Sequence, residues 1–272
     1  RRLEEAGAPE AVLAGVNLSH YGSNGLNFSG LLRYLLDGTS RIALRLSSYE
    51  PDRVDPEFLE VFAEPRIRPH VHFAIQSGSD SVLARMGRAY RHDDVLASCE
   101  ALRRARRDPF LACDLITGFP GETEADFADT ARLAEELGFA WIHAFPFSPR
   151  PGTRAFDMRP WVPERVSGER AAVLGELGRN GRAAYIERWL GAEVRAVLEK
   201  GPVGEDEEAG SFHGKIIGKL SALIGGEVAS KNDDITLGAS CIMAADLLDR
   251  SCATRGYFEP ELAYDFIRRI KR

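Results

Sequence analysis

Cys113–Phe127, CDLITGFPGETEADF, passes from an apolar run through Gly, Phe, Pro, Gly and Glu into a helical pattern. Gly and Pro end a strand, and Glu suits the first turn of a helix, so turn chemistry alone accounts for these residues. The same residues at the carboxyl end of a parallel strand stand where α/β folds gather their ligand-binding groups. The flanking sequence decides which of the two readings is needed.

Five apolar runs recur up to about Thr153: EAVLAGVNL, RIALRLSSY, HVHFAIQ, FLACDLITGF and WIHAFPF. Helical patterns separate them, at 28–36, 56–63, 93–106 and 124–137. Strands rich in Val, Ile, Leu and Ala that alternate with helices predict a parallel sheet buried on both faces. All but the last run end in polar or Gly-rich residues, GVNLSHYG, RLSSYEP, IQSGSD and TGFPGE. In a barrel such tips converge on one rim, which favours a shared site over isolated turns. The opening RRLEEAG reads as the end of a helix from a preceding unit. The expected fold is therefore α/β, a partial TIM-like (β/α)6 barrel lacking its first strand, over residues 1–160. Beyond it, SPRPGTRAFDMRPWVPERV is loop-like, and GERAAVLGELGRNGRAAYIERWLG reads as one or two helices despite its internal glycines. AEVRAVLEK is a plausible strand and GPVGEDEEAGS an acidic linker. Residues 161–200 are thus expected to form linker helices and the start of a β-domain, and 201–272 a mostly helical tail, with ASCIMAADLLDR and PELAYDFIRRIKR its clearest stripes.

The chain has 272 residues, 44% hydrophobic and 28% charged, enough to bury a substantial core. Its net charge of −6 argues against wholesale wrapping by nucleic acid but leaves room for a local basic face. RRARR, Arg103–Arg107, with Arg85, Arg88 and Arg91, is such a cluster. It is either a solvated helix face or a contact for an RNA backbone. No apolar run nears the roughly 20 residues of a membrane helix. Cys99, Cys113, Cys241 and Cys252 form no CxxC or CxxxCxxC group. Buried thiols in a reducing cytoplasm are the simplest reading. His70 and His72 alternate with apolar residues but lack further metal ligands in sequence, so no metal site is expected, while His143 lies closer to the rim and within reach of a substrate.

HVHFAIQSGSDSVLARMGRAYRHDDV, DLITGFPGETEADF and IHAFPFSPRPGT together resemble the radical S-adenosylmethionine methylthiotransferases that modify tRNA. GVNLSHYG and RIALRLSSYEPDRVDPEFLEVFAEPRIRPHVH extend the resemblance in the same order, over about residues 1–200. The form IHAFPFSPRPGT is most similar to the branch acting on threonylcarbamoyladenosine beside the anticodon. The resemblance implies a radical SAM barrel and S-adenosyl-L-methionine as cofactor. It also implies two [4Fe-4S] clusters, one of them on a CxxxCxxC motif, and transfer of a methylthio group to C2 of the adenine. It implies a tRNA substrate, an electron donor such as flavodoxin or ferredoxin, and a cytoplasmic location. The cluster-binding motif of the family lies upstream of the helix in which this chain begins, so the cluster ligands are expected outside this chain, which is expected to be inactive alone. The alternatives are a related methylthiotransferase acting on isopentenyladenosine in tRNA or on a ribosomal protein, or a catalytically inactive scaffold.

Carried onto this sequence, the resemblance places the cofactor on the rim. Gly15, Val16 and Asn17 would meet the methionine amino and carboxylate groups. Arg45, with Ser47 and Ser48, would pair with the carboxylate in bidentate fashion, against a surface ion pair with Glu50 as the alternative. Gln76 and Ser77 suit the ribose, although Ser79 or Asp80 in the same segment equally reads as a helix cap. Ile116 to Phe119 would pass beneath the adenine, with Gly118 permitting close approach and Glu122 beginning the next helix. No catalytic residue is assigned.

Overall fold

In the computed structural model, residues 1–15 and 17–189 are described, with the backbone of strands Glu193–Ala196 and Ile235–Gly238. The chain divides into two compact units, Arg1–Ala6 with Glu10–Tyr185, and Gly7–Pro9 with Ile186–Arg272.

The first unit is a parallel α/β layer, and all five apolar runs form strands in it. These are β1 (Glu10–Leu13), β2 (Ala43–Leu46) with its continuation β3 (Ser48–Tyr49), β4 (His70–Gln76), β5 (Phe110–Thr117) and β6 (Trp141–Pro146). β1 pairs with β2, and β3, β4, β5 and β6 pair in that order, all parallel. Leu44 bridges to Ile67 just before β4 and joins the two ladders. This is the order of successive right-handed βα units curling toward a barrel.

The helices are α1 (Phe28–Asp37), α2 (Pro56–Phe62), α3 (Asp80–Met86), α4 (His92–Ala105), α5 (Glu124–Leu137) and α6 (Glu164–Glu187). Their starts follow capping chemistry. Asn27 accepts the Gly30 N–H at 2.8 Å and Asp55 the Phe58 N–H at 2.7 Å. Thr123 and Asp126 form a reciprocal capping box on α5. Gly87 and Gly138 end α3 and α5 in the left-handed conformation.

Strand alternation divides the sheet into two faces. Along β4, Val71, Phe73 and Ile75 are fully buried toward the helices, while His70, His72, Ala74 and Gln76 are half-buried on the other face. On β5, Leu111, Cys113 and Leu115 join the helix-side core, with Leu32, Phe58, Phe62, Val95, Cys99, Leu102, Leu133 and Leu137. Each such side chain contributes about 1.5–3 kcal/mol by its removal from water. The expectation of a sheet packed on both faces holds only on this side. The opposite face carries Arg45, His70, His72, Asp114, Trp141 and His143, and it lines a hollow.

The helical pattern after residue 160 is not a linker. The compact unit extends to Tyr185, and α6 lies against the end of α5 and against β6. A Cβ on Gly178 would come within 3.1 Å of Ile142 Cβ, and one on Gly181 within 2.2 Å of the Phe139 carbonyl oxygen. Gly178 and Gly181 therefore serve close packing at a cost in helix propensity.

In the second unit, Glu193–Ala196 pairs antiparallel with Ile235–Gly238. The latter is a strand within the region expected to be mostly helical. The two amphipathic stripes of the tail, the acidic linker, Cys241 and Cys252 lie outside the described residues. No helix among the described residues is long and apolar enough to cross a membrane.

Candidate functional site

The opposite face of the sheet borders an open pocket of about 550 Å³, which Arg182 of α6 also lines. Parallel register arranges its wall in tiers, because His70 lies beside Phe110, His72 beside Ala112 and Trp141, and Asp114 beside His143. Arg45, His70 and Phe110 form the lowest tier, and Gln76 and Ile116 stand at the upper ends of β4 and β5. Four residues separate His72 from Gln76, about 13 Å at strand rise.

Three groups in this cavity are short of protein partners. Arg45 approaches His70 Nε2 at 3.4 Å, and no carboxylate lies within ion-pair distance of it among the described residues. The expected alternative, pairing with Glu50, does not occur, since Glu50 binds Arg88 at 2.8 Å. Ser47 Oγ and His70 Nδ1 are buried without a hydrogen-bond partner among the described residues. Burial, then the neighbouring Arg45 charge, pushes the His70 imidazole down to about 4, so it is neutral at pH 7. A neutral His70 that accepts from Arg45 at Nε2 carries its proton on Nδ1. Arg45 thus has guanidinium donors for a ligand rich in acceptors, while the Ser47 hydroxyl and His70 Nδ1 are buried beside it.

The remaining rim residues are more occupied. Gln76 has φ +71°, an uncommon value for a residue with a side chain, at the register shift that ends β4. It is held there by Tyr90, whose hydroxyl donates to the Ala74 and Ile75 carbonyls at 2.7 and 3.0 Å. Ile116 is half-buried near the end of β5, opposite Phe145 of β6. Gly15 is exposed after β1, and Val16 lies outside the described residues. Asn17 spends its side chain locally, accepting the Ser19 N–H at 3.1 Å and bonding His20 Nδ1 at 2.7 Å through its amide.

Ser77, Gly118 and Glu122 face the helices, not the hollow. The Ser77 hydroxyl is fully buried against Thr130 Oγ1 at 3.1 Å and accepts the Ser79 N–H. Ser79 is the cap of α3, and Asp80 instead accepts the His92 N–H at 2.8 Å. Gly118, at φ +75°, admits α6: a Cβ there would fall 1.8 Å from Ser167 Oγ. Thr117 Oγ1 donates to the Ser167 carbonyl at 2.8 Å beside it. Glu122 does not begin a helix, because α5 starts at Glu124 behind the Thr123 cap. It accepts the Gly118 N–H at 3.1 Å and Arg170 Nη1 at 2.5 Å, with Arg170 reaching on to Glu124 at 2.7 Å. The Gly-Phe-Pro-Gly-Glu turn is therefore a socket for α6.

Asp126 ties this socket to the QSGSD segment. It accepts from Ser79 Oγ at 2.6 Å, from Ser81 Oγ, and from Thr123 N and Oγ1 at 2.9 and 2.8 Å. Although burial pushes the carboxyl up, the bonds from Ser79, Ser81 and Thr123 hold it well below its ordinary 3.8. Asp126→Asn is expected to remove about 2 kcal/mol at neutral pH, the scale of hydrogen bonds to a charged acceptor. A depressed carboxylate stabilises fully above its unfolded pKa of 3.8 and loses that contribution as pH falls toward its folded value. Urea unfolding at pH 7 and at about pH 3 should show the gap between wild type and variant narrowing in acid. An equal gap at both would show that the charge is not what stabilises.

The arginine cluster separates into structural roles. Arg106 donates to the Glu64 carbonyl at 2.8 Å and to the Phe62 and Ile67 carbonyls at 3.3 Å, beyond the end of α2, while Arg103 donates to the Leu137 carbonyl. Arg88 pairs with Glu50, Arg85 reaches the Gly121 carbonyl at 3.2 Å, and Arg104 and Arg107 pair with Glu100 and Asp108. These contacts fit the helix-face reading rather than a bank of cations awaiting phosphate.

One grouping escaped sequence reading. His72, Asp114 and His143, on three adjacent strands, bring their ligating atoms within 4.8 Å of one another. His72 Nε2 lies 2.9 Å from Asp114 Oδ1. His143 Nδ1 accepts from Trp141 Nε1 at 3.2 Å. Burial, then the neighbouring His72, lowers the His143 pKa. The legible signal was the alternation H-x-H on one strand and a lone Asp among apolar residues on the next; the register that joins them was not. Cys99 and Cys113 are buried in the helix-side core. Burial pushes the Cys99 thiol up to about 12 and Cys113 well above its ordinary value. They do not fit the thiolate ligands of an iron–sulfur cluster.

Residues 2–134 match the sequence profile of the Radical SAM superfamily. The chain is 50% identical over 198 residues to a threonylcarbamoyladenosine tRNA methylthiotransferase of Treponema pallidum, covering 73% of this chain and 41% of that protein. It is 40% identical over 195 residues to the Thermotoga maritima protein of the same name, covering 71% and 45%. A tRNA-2-methylthio-N(6)-dimethylallyladenosine synthase of Geobacter metallireducens is 39% identical over 209 residues, at 74% and 46% coverage. The chain spans less than half the length of these relatives.

Proposed function

We propose, from the match of residues 2–134 to the Radical SAM superfamily, that the chain is the catalytic-barrel portion of a radical S-adenosylmethionine tRNA methylthiotransferase acting on threonylcarbamoyladenosine. The observation that carries this reading is the 50% identity over 198 residues to a protein of that name. The strand-end segments GVNLSHYG, RLSSYEP, IQSGSD and TGFPGE lie within the first unit, in the parallel order such a barrel requires.

S-adenosyl-L-methionine, when bound, supplies both the radical and the methyl group for such a reaction. The residues present suit part of it. Arg45 offers guanidinium donors to a carboxylate, and Gln76 stands at the end of β4 opposite Leu115. Arg170, Glu122 and Asp126 hold the turns beneath that rim and contribute through rigidity. The described cysteines, buried in the helix-side core, do not fit a [4Fe-4S] cluster. A tRNA substrate, a reducing partner such as flavodoxin or ferredoxin and a cytoplasmic setting accompany the reading.

The gene-length protein, reconstituted anaerobically and incubated with tRNA, is expected to yield the 2-methylthio derivative of threonylcarbamoyladenosine by nucleoside mass spectrometry. Methylthiolated dimethylallyladenosine instead would move the protein to the branch of the Geobacter relative, and no methylthiolation would sink the proposal. Arg45→Ala is expected to weaken S-adenosylmethionine binding about tenfold or more by calorimetry, with the fold intact, as befits a lost charge-assisted contact. Unchanged affinity would remove Arg45 from the cofactor site.

A further inference from the structure

We propose that His72, Asp114 and His143 form a binding site for a divalent transition-metal ion on the sheet face that lines the hollow. Two imidazoles and one carboxylate make a donor set suited to zinc, iron(II) or cobalt(II), and unsuited to calcium or magnesium, which prefer oxygen. The three side chains come from β4, β5 and β6, so the sheet fixes their spacing. Their ligating atoms already lie within 4.8 Å of one another. They line or adjoin the cavity of about 550 Å³, which leaves room for water or another exchangeable ligand to complete the coordination.

Two cations border this tier: Arg45 is directed to His70, in the tier below, and the Arg182 guanidinium is stacked over the Trp141 ring at 4.7 Å. His70, the nearest further imidazole on the strand, already faces the Arg45 guanidinium, so three ligands are the set this wall supplies. His72 Nε2 and Asp114 Oδ1, 2.9 Å apart, would share the ion in place of their mutual proton. Trp141 is an internal competitor: its indole N–H donates to His143 Nδ1. A neutral ring so engaged carries its proton on Nε2. Metal binding through either nitrogen therefore displaces this bond, and Trp141 acts as a brake on affinity.

The proposal stands apart from the methylthiotransferase reading, and its test reads metal rather than turnover. Cobalt(II) chloride titrated into the 272-residue chain is expected to give one equivalent of visible d–d absorption, bleached by zinc. His143→Ala and the double variant His72→Ala/His143→Ala should each weaken cobalt binding by about a hundredfold or more, beyond the 10–100-fold typical of outer-shell changes. Asp114→Asn should weaken it by at least about tenfold. Trp141→Phe should tighten it severalfold. Circular dichroism checks that each variant is folded, and the half-exposed His143 and Trp141 positions keep the test open where Asp114→Asn does not fold. Equal binding by wild type and the double variant would overturn the proposal. So would a sulfur-to-cobalt charge-transfer band, which assigns the ion to cysteine, or weaker binding by Trp141→Phe.

Discussion

Arg170→Met is expected to lower the unfolding free energy by about 3–5 kcal/mol, the scale for removing one partner of a buried ion pair. The Arg170 and Glu122 side chains are 6% and 3% exposed, and their closest atoms are 2.5 Å apart. Without the guanidinium, Glu122 would be a buried carboxylate facing only backbone N–H groups. Burial already pushes its carboxyl up against the opposing pull of the Gly118 N–H and Arg170. Its remaining choices are ionisation in a dry site or protonation with loss of the Gly118 contact. Either loosens the turn after β5 and frees the start of α6. Urea unfolding monitored by circular dichroism measures the loss. A companion Glu122→Gln/Arg170→Met protein should recover part of it, because no charge is then stranded. A single-variant loss below about 1 kcal/mol would place the pair among those worth no more than a surface bridge.

Gly118→Ala is expected to be at least as damaging, by about 4 kcal/mol or more, because overpacking and backbone strain add. Its φ of +75° disfavours any side chain, and the added Cβ would stand 1.8 Å from Ser167 Oγ and 2.7 Å from Ser167 Cβ. The hydroxyl is able to rotate away, but the Cβ is not, so α6 must lift. Gly118→Ala/Ser167→Gly removes the collision and keeps the strain, and should restore all but about 1–2 kcal/mol of the loss attributable to Gly118. A failure of the second change to rescue would mean that backbone conformation, not helix docking, fixes glycine at this position. Thermal unfolding of the two proteins side by side separates these outcomes.

Both changes lie in the segment that opened the sequence reading, and its outcome explains how far sequence carried. All five strands were legible as apolar runs between helical patterns, and four of those runs end in polar or Gly-rich residues. The helical pattern over 124–137 was legible, but Glu122 read as its opening residue, whereas Thr123 and Asp126 cap it and Gly138 stops it. The helix α3 was half-legible: Ser79 and Asp80 both read as caps, and only the structure makes Ser79 the cap and turns Asp80 to the His92 N–H. The roles of Ser77, Gly118 and Glu122 were not legible. Each is a small or acidic residue at a strand mouth, a composition shared by ligand loops and by sockets for a helix arriving about 50 residues later.

Local chain chemistry, then, determined which segments are strands and helices, their parallel order and the family resemblance, since these depend on periodicity, capping and turn residues within a few positions of each other. Tertiary structure alone decided which face each polar side chain serves. Whether Gly118 meets a ligand or Ser167 depends on where α6 docks. Whether His72 is solitary or joined to Asp114 and His143 depends on the register of three strands. Both are set by burial and hydrogen bonding across long sequence separations, to which no local pattern is sensitive.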